Sequence, residues 1–218
     1  MSVEFKIFVS SAAIVWLYYL FVFARLNFIR PFSGVPEFLP ATSVIICAKN
    51  EAKNLAHNLK IVMIQQFKQY EVIVVNDQSD DDTAEVLVEF YKRNPNLKIV
   101  NIPKTEEKIL LGKKYALLKG IEVATFDTIV VTDADCRPNT THWLAKLVGS
   151  YLDETKIVLA QAPIEKKSGW LNKLIRYENF ITSLLCFGFA KAGLPYTGNG
   201  RNMSYKKDLF EKFDRFAK

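Results

Sequence analysis

The run VVTDADC (130–136) sets two carboxylates, Asp133 and Asp135, on either side of one small residue. In an extended backbone, residues i and i+2 project to the same side, so both carboxylates can share one hard cation or a sugar hydroxyl. Taken alone, the pair also fits a turn that caps a following helix. Two other apolar runs close on polar clusters: one on Ala48, Lys49, Asn50 and Glu51, the other on Asn76, Asp77, Gln78, Ser79 and Asp80. Gly112-Lys113-Lys114 adds two cations behind a glycine, but it lacks the GxxxxGK[ST] spacing and is not a P-loop. Asp77 and Glu51 also suit ordinary turn and first-turn acids, and Lys113 also suits a solvated helix start. What joins these residues is their placement, each directly after or between regular elements.

Those elements alternate. Ser43–Cys47, Val72–Val75, Leu97–Ile102, Thr128–Val131 and Lys156–Ala160 are short, continuous apolar or β-branched runs that predict buried strands. Between them, Lys53–Gln66 has apolar residues at helical spacing, and Asp80, Asp81 and Asp82 supply a cap and first-turn charge for a helix running to Arg93. Lys113–Ala124 predicts a further helix, and Pro138 opens another that reaches Tyr151. The order β-α-β-α implies an α/β fold with a mostly parallel sheet flanked by helices. In such sheets ligands bind beyond the carboxyl ends of the strands. The three polar clusters should therefore share one rim.

Composition narrows the classes. The chain has 218 residues, 50% of them apolar, which excludes disorder. Cys47, Cys136 and Cys186 form no CxxC pair, and His57 and His142 are the only histidines. Disulfide scaffolds, thiolate metal sites and multi-histidine centres are excluded, and a reducing compartment follows. Residues 1–164 balance 18 basic against 18 acidic side chains, whereas residues 165–218 carry 11 basic and 5 acidic. The whole excess of +6 thus lies in the last quarter. No RNP, helix-turn-helix or zinc-finger pattern accompanies it, so nucleic acid is not expected as a partner and anionic lipid is.

Ile7–Ala24 (IFVSSAAIVWLYYLFVFA) runs 18 residues without a charge. As a helix it would reach about 27 Å, close to the thickness of a hydrocarbon core. No A-x-A cleavage site follows it, so a single-pass anchor over residues 1–30 is expected. Arg25 and Arg30 lie after the span and place the remainder in the cytoplasm. Pro31, Gly34, Pro36 and Pro40 make residues 31–41 a stiff linker.

Taken in order, VIICAKNEAKNL (44–55), VIVVNDQSDDDT (72–83), LGKKYAL (111–117), VVTDADC (130–136) and GNGRNMSYKKDLF (198–210) resemble the family 2 glycosyltransferases, which have the GT-A fold. The resemblance implies a membrane-anchored transferase that uses a nucleotide-diphosphate sugar, a divalent cation (Mg²⁺ or Mn²⁺) and a lipid-linked or saccharide acceptor, with inversion. It implies that the Ala48–Glu51 loop and Asp77 hold base and ribose, Lys113 the phosphates, Asp133 ribose and metal, and Asp135 the metal. Gly198 and Asn199 would lie beside the donor sugar, although the family's usual G-x-N form leaves Asn199 and Asn202 both open. The family's acidic base motif and its later Q-x-x-R-W motif are not found before Lys218. Residues 42–218 are therefore expected to be an incomplete transferase domain whose base lies beyond Lys218. The alternatives are a nucleotide-sugar-binding or scaffolding remnant without turnover, and a haloacid-dehalogenase-like phosphatase, whose strand-then-DxD motif TIVVTDADC also resembles. Finally, residues 168–190 carry Trp170, Leu174, Tyr177, Ile181, Leu184 and Leu185 at helical spacing, with Lys173 and Arg176 beside them. That pattern fits a helix packed on the sheet or one lying on anionic lipid.

Overall fold

The computed structural model describes residues 2–28, 38–108, 112–151 and 155–212. They fall into two compact units, one made of the N-terminal helix with residues 161–198, the other of the remaining described chain.

The second unit is built on a six-stranded sheet. Its strands are β1 (Thr42–Ala48), β2 (Tyr70–Asp77), β3 (Leu97–Ile102), β4 (Thr128–Asp133), β5 (Ile157–Leu159) and β6 (Asn202–Lys206), in the order β3-β2-β1-β4-β6-β5. The first four are mutually parallel, and β6 runs antiparallel to both β4 and β5. The expected mostly parallel α/β sheet is present: β1, β2 and β4 reach further than their apolar runs, β3 coincides with its run, and β5 is shorter than the expected Lys156–Ala160. β6 has no counterpart among the strands expected from the sequence: NMSYK is short and half polar, so it lacks the continuous apolar signal of the others.

Side chains alternate across the sheet as the two-residue period requires. Val44, Ile46, Val72, Val74 and Val130 face a core completed by α2 (Ala52–Met63), α3 (Thr83–Tyr91) and α5 (Trp143–Val148). Ile45, Ile73, Val75, Ile129 and Val131 face the opposite core, completed by α4 (Lys113–Glu122) and by Phe210 of α7 (Lys207–Lys212). α4 comes unusually close, because a Cβ on Gly120 would lie 2.6 Å from Cγ2 of Ile45 and 3.2 Å from Cγ2 of Val75. Any side chain there would force the Ile45 side chain, and to a lesser degree Val75, to shift.

α5 begins at Trp143, not at Pro138 as the proline suggested. Its N-terminal amide is capped from another element: Gln65, just past α2, accepts from the Leu144 amide (3.0 Å) and donates to the Thr140 carbonyl (3.1 Å). That capping satisfies a helix-end donor without any local signature in residues 138–143.

The first unit pairs α1 (Val3–Ala24) with α6 (Trp170–Lys191). α1 is the one described helix long and apolar enough to cross a membrane. Gly188 of α6 lies against Val22, where a Cβ would meet the Val22 Cγ1 at 2.5 Å and its carbonyl oxygen at 2.8 Å. Tyr18 and Phe189 pack beside it with ring centroids 5.9 Å apart. Residues 29–37, including Arg30 of the expected anchor and Pro31, Gly34 and Pro36 of the expected linker, lie outside the described residues.

Candidate active site

The strand register brings three chain segments level. Ala48 stands opposite Asn76, Cys47 opposite Asp133, and Asp77 opposite Ile102. The carboxyl ends of β1, β2 and β4 therefore share one rim, with the β3 end beside β2.

The loops along this rim are laced to one another. Asn50 turns the chain after β1 in the left-handed conformation (φ 58°), which asparagine tolerates. Its side-chain oxygen accepts from the Asp80 amide (2.7 Å), and its own amide donates to Ser79 Oγ (3.0 Å). The Glu51 amide donates to Thr83 Oγ1 (3.0 Å) and the Ala52 amide to Asp81 (3.1 Å). Asp81 also accepts from the Thr83 amide, while Asp82, next to the helix, makes no capping bond. These bonds hold the Asp81 carboxyl below its ordinary range, the Thr83 hydroxyl contributing most. Gln78, also left-handed (φ 57°), donates to the carbonyls of Pro103 (3.0 Å) and Glu106 (3.1 Å) and ties the β2 loop to the chain after β3. Asn58 is buried in α2 and donates to the Ala134 carbonyl (3.0 Å), which fixes the middle of the Asp-Ala-Asp turn.

Three lysines from the segment after β3 then meet three rim carboxylates. Lys104 pairs with Asp80, Lys108 with Asp77 at 2.6 Å, and Lys113, the first residue of α4, with Asp133. Asp77 is buried, and Lys108 brings a cation to its Oδ1. Asp135 is exposed and accepts weakly from the Cys136 thiol (3.4 Å). One ligand atom each from Asp133, Asp135 and Cys136 lies within 4.8 Å of the others. Burial, and next the Asp135 charge, push the Cys136 thiol up to about 11. Burial pushes Cys47, under the same rim, up to about 12 against the pull of Lys113. Neither thiol is a nucleophile at neutral pH.

The sequence-predicted residues divide accordingly. Asp77, Lys113, Asp133 and Asp135 come together on the strand ends. Ala48 contributes its backbone, its side chain being buried. Glu51 turns its carboxylate back onto Asn54 of its own helix. Asn199 accepts from the amide and Nε of Arg201, both at 3.1 Å, whereas Asn202 is committed to β6 and accepts from Trp143 Nε1 at 3.0 Å. Gly198 belongs to residues 161–198, outside the sheet unit, and is exposed there. Lys108 and Arg201 escaped the sequence reading. Lys108 had only the spacing of lysines 104, 108 and 113 to mark it; Arg201 is tied to the rim through its carbonyl, which accepts from Thr132 next to Asp133 (2.9 Å).

A mixed sheet with laced loops and an acidic strand-end pair matches a known family in sequence as well as shape: the family described as glycosyl transferase family 2 matches residues 43–213. The chain belongs to that family. Poly-beta-1,6-N-acetyl-D-glucosamine synthase of Staphylococcus epidermidis is 30% identical over 136 residues, covering 60% of this chain and 31% of the relative. Hyaluronan synthase of Streptococcus pyogenes is 27% identical over 200 residues, covering 88% of this chain and 45% of the relative. This family 2 chain thus spans less than half the length of either. Among solved structures, a mannosyltransferase from Pyrobaculum calidifontis in complex with GDP-Man and Mn²⁺ superposes with a TM-score of 0.70 at 24% identity, covering 91% of this chain and 53% of that one. Glucosyl-3-phosphoglycerate synthase from Mycobacterium tuberculosis in complex with UDP gives a TM-score of 0.55 at 17% identity, covering 86% and 72%. These two share the GT-A fold.

Proposed function

We propose that the protein transfers a sugar from a nucleotide-diphosphate donor to a saccharide or lipid-linked acceptor, with inversion at the anomeric carbon and with help from a divalent cation. The observation that carries this reading is the convergence of buried Asp77, Lys113 and the Asp133/Asp135 pair on one strand-end rim. Family membership and the synthase relatives support sugar transfer, and the bound Mn²⁺ of the Pyrobaculum mannosyltransferase supports the cation.

The roles follow from chemistry. Asp77, paired with Lys108, can accept from a base N–H or a ribose hydroxyl, beside the backbone of Ala48–Glu51. Lys113 supplies a cation to the diphosphate. Asp133 and Asp135 offer hard oxygen donors that suit Mg²⁺ or Mn²⁺, and the ion would neutralise the charge that develops on the departing nucleoside diphosphate. Gly198 and Asn199 are assigned to the donor-sugar side. The proton acceptor is assigned beyond Lys218. Residues 1–30, with α1, form a single-pass anchor followed by the linker 31–41. Residues 42–218 form the donor-binding part, on the cytoplasmic side according to Arg25 and Arg30.

Calorimetry with UDP and GDP, with and without Mn²⁺, tests the assignment. Asp135→Asn should lower metal-dependent affinity by about tenfold or more, the loss of one charged ligand contact, without changing the melting temperature. Unchanged metal-dependent binding would refute it.

A further inference from the structure

Within the unit formed by α1 and residues 161–198, α6 has two unlike halves. From Ile181 to Ala190 it carries no charge, and it packs on the last turns of α1 through Gly188 against Val22 and Phe189 against Tyr18. From Trp170 to Phe180 it instead turns large apolar side chains outward. Trp170 is 73% exposed and Tyr177 63%, with Leu171, Leu174, Ile175 and Phe180 also exposed. Trp170, Leu174, Tyr177 and Ile181 recur at three- and four-residue spacing, so they form a stripe rather than scattered positions. A contiguous apolar stripe of this kind marks an interaction surface.

Two observations say what covers it. The first is charge. Lys166, Lys167, Lys173 and Arg176 border the stripe, and Glu178 is the single acid between Trp170 and Phe180. Asn172 fixes the basic turn onto the helix by accepting from the Lys167 amide (2.8 Å) and donating to the Glu165 carbonyl (3.1 Å). Lys167 meets Glu165 only at 3.8 Å, with both side chains largely in solvent, so the cationic border is not neutralised internally. The second is continuity with α1. Val22 lies five residues before the end of the apolar span Val3–Asn27, which places its contact with Gly188 about 8 Å inside that end. Whatever medium surrounds the end of α1 therefore also surrounds the end of α6. With Lys173, Arg176, Glu178 and Lys191 along its length, α6 is not itself a span.

We propose that α6 lies in the surface of an anionic bilayer, its Trp170–Phe180 stripe among the upper acyl chains and its basic border at the headgroups. The protein would then hold the membrane at two places, through a spanning helix and an interfacial one. This rests on the reading of α1 as the membrane anchor.

The full chain, reconstituted in vesicles of 70% phosphatidylcholine and 30% phosphatidylglycerol doped with a phospholipid bearing a diazirine high on its acyl chain, gives the test. After photolysis, mass spectrometry should find lipid adducts on α1 and on the peptides spanning Trp170–Phe180. A variant combining K166Q, K167Q, K173Q and R176Q should lose about threefold or more of the α6 adducts while keeping those on α1, and pure phosphatidylcholine should have the same effect on the unaltered chain. Adducts on α1 with none on α6 would overturn the proposal. So would α6 labelling that ignores both the charges and the lipid composition. A chain with no adducts on α1 would remove the anchor reading itself, and the interfacial helix with it.

Discussion

Lys113 occupies the position a metal would need to share. Its ammonium pairs with Asp133, so a divalent cation arriving at Asp133 and Asp135 meets one carboxylate already neutralised. A nucleotide diphosphate offers the lysine a more highly charged partner, and the exchange would free Asp133 for the ion. Removing the lysine separates the two effects. Lys113→Gln should bind Mn²⁺ alone several-fold more tightly than the natural chain, yet bind UDP or GDP about tenfold more weakly, the worth of one charge-assisted contact. Titrating the free Mn²⁺ signal by electron paramagnetic resonance, with and without nucleotide, checks both directions. Equal Mn²⁺ affinity in the two proteins would show that the ion pair does not gate the site. Lys113 could be read from the sequence because it opens a helix behind Gly112. Lys108 could not, since nothing local shows that a lysine in an irregular segment reaches a buried aspartate at the end of a neighbouring strand.

The elements beneath the rim are tied together at the other end of the sheet. Glu71, at the start of β2, accepts from Ser43 of β1 (2.7 Å), pairs with Lys98 of β3 (2.7 Å), and takes the amide of Thr125 just before β4 (2.7 Å). Burial works to raise its carboxyl, but Lys98, Ser43 and Thr125 together outweigh burial and hold it below the ordinary range. A lowered folded-state value means that the stabilisation is complete above the unfolded value, near pH 4.5, and is lost as pH falls through the folded one. Glu71→Gln should therefore destabilise the sheet by about 1–3 kcal/mol at pH 7. It should also flatten the fall of melting temperature between about pH 5 and 3. Gly120→Ala tests the opposite face: its Cβ would overlap Ile45, so a loss of about 1–3 kcal/mol is expected in denaturant titration. Most of this architecture was legible, since apolar runs and helical spacing give β1 to β4 and α2 to α4 nearly to their ends. β6 and the start of α5 were not. Both depend on partners distant in the chain, β4 and β5 for the strand and Gln65 for the helix, and a pattern read along the chain does not contain them.

Among the described residues, the four rim carboxylates read from the sequence each have a partner or a proposed task. Asp77 is paired with Lys108, Glu51 is turned onto Asn54, and Asp133 and Asp135 are the pair proposed to hold the cation. None is left in a position to take a proton from an acceptor hydroxyl without giving up the task proposed for it. The synthase relatives are more than twice as long as the stretch this chain shares with them. Base and acceptor site are therefore proposed to lie in sequence beyond Lys218. A positioned general base contributes about 10²–10⁴-fold to a rate, and acceptor positioning contributes further. The 218-residue chain, in detergent or in vesicles, should then bind UDP or GDP with Mn²⁺ yet transfer sugar at least about 10²-fold more slowly than a version extended through any coding sequence that follows Lys218 in frame. Both proteins are assayed against the same panel of nucleotide sugars, with nucleotide affinity measured in parallel to show that the donor rim is intact in each. Equal transfer from the two would place the base within residues 1–218 and require one of the paired rim carboxylates, Asp77 foremost, to leave its lysine during the reaction.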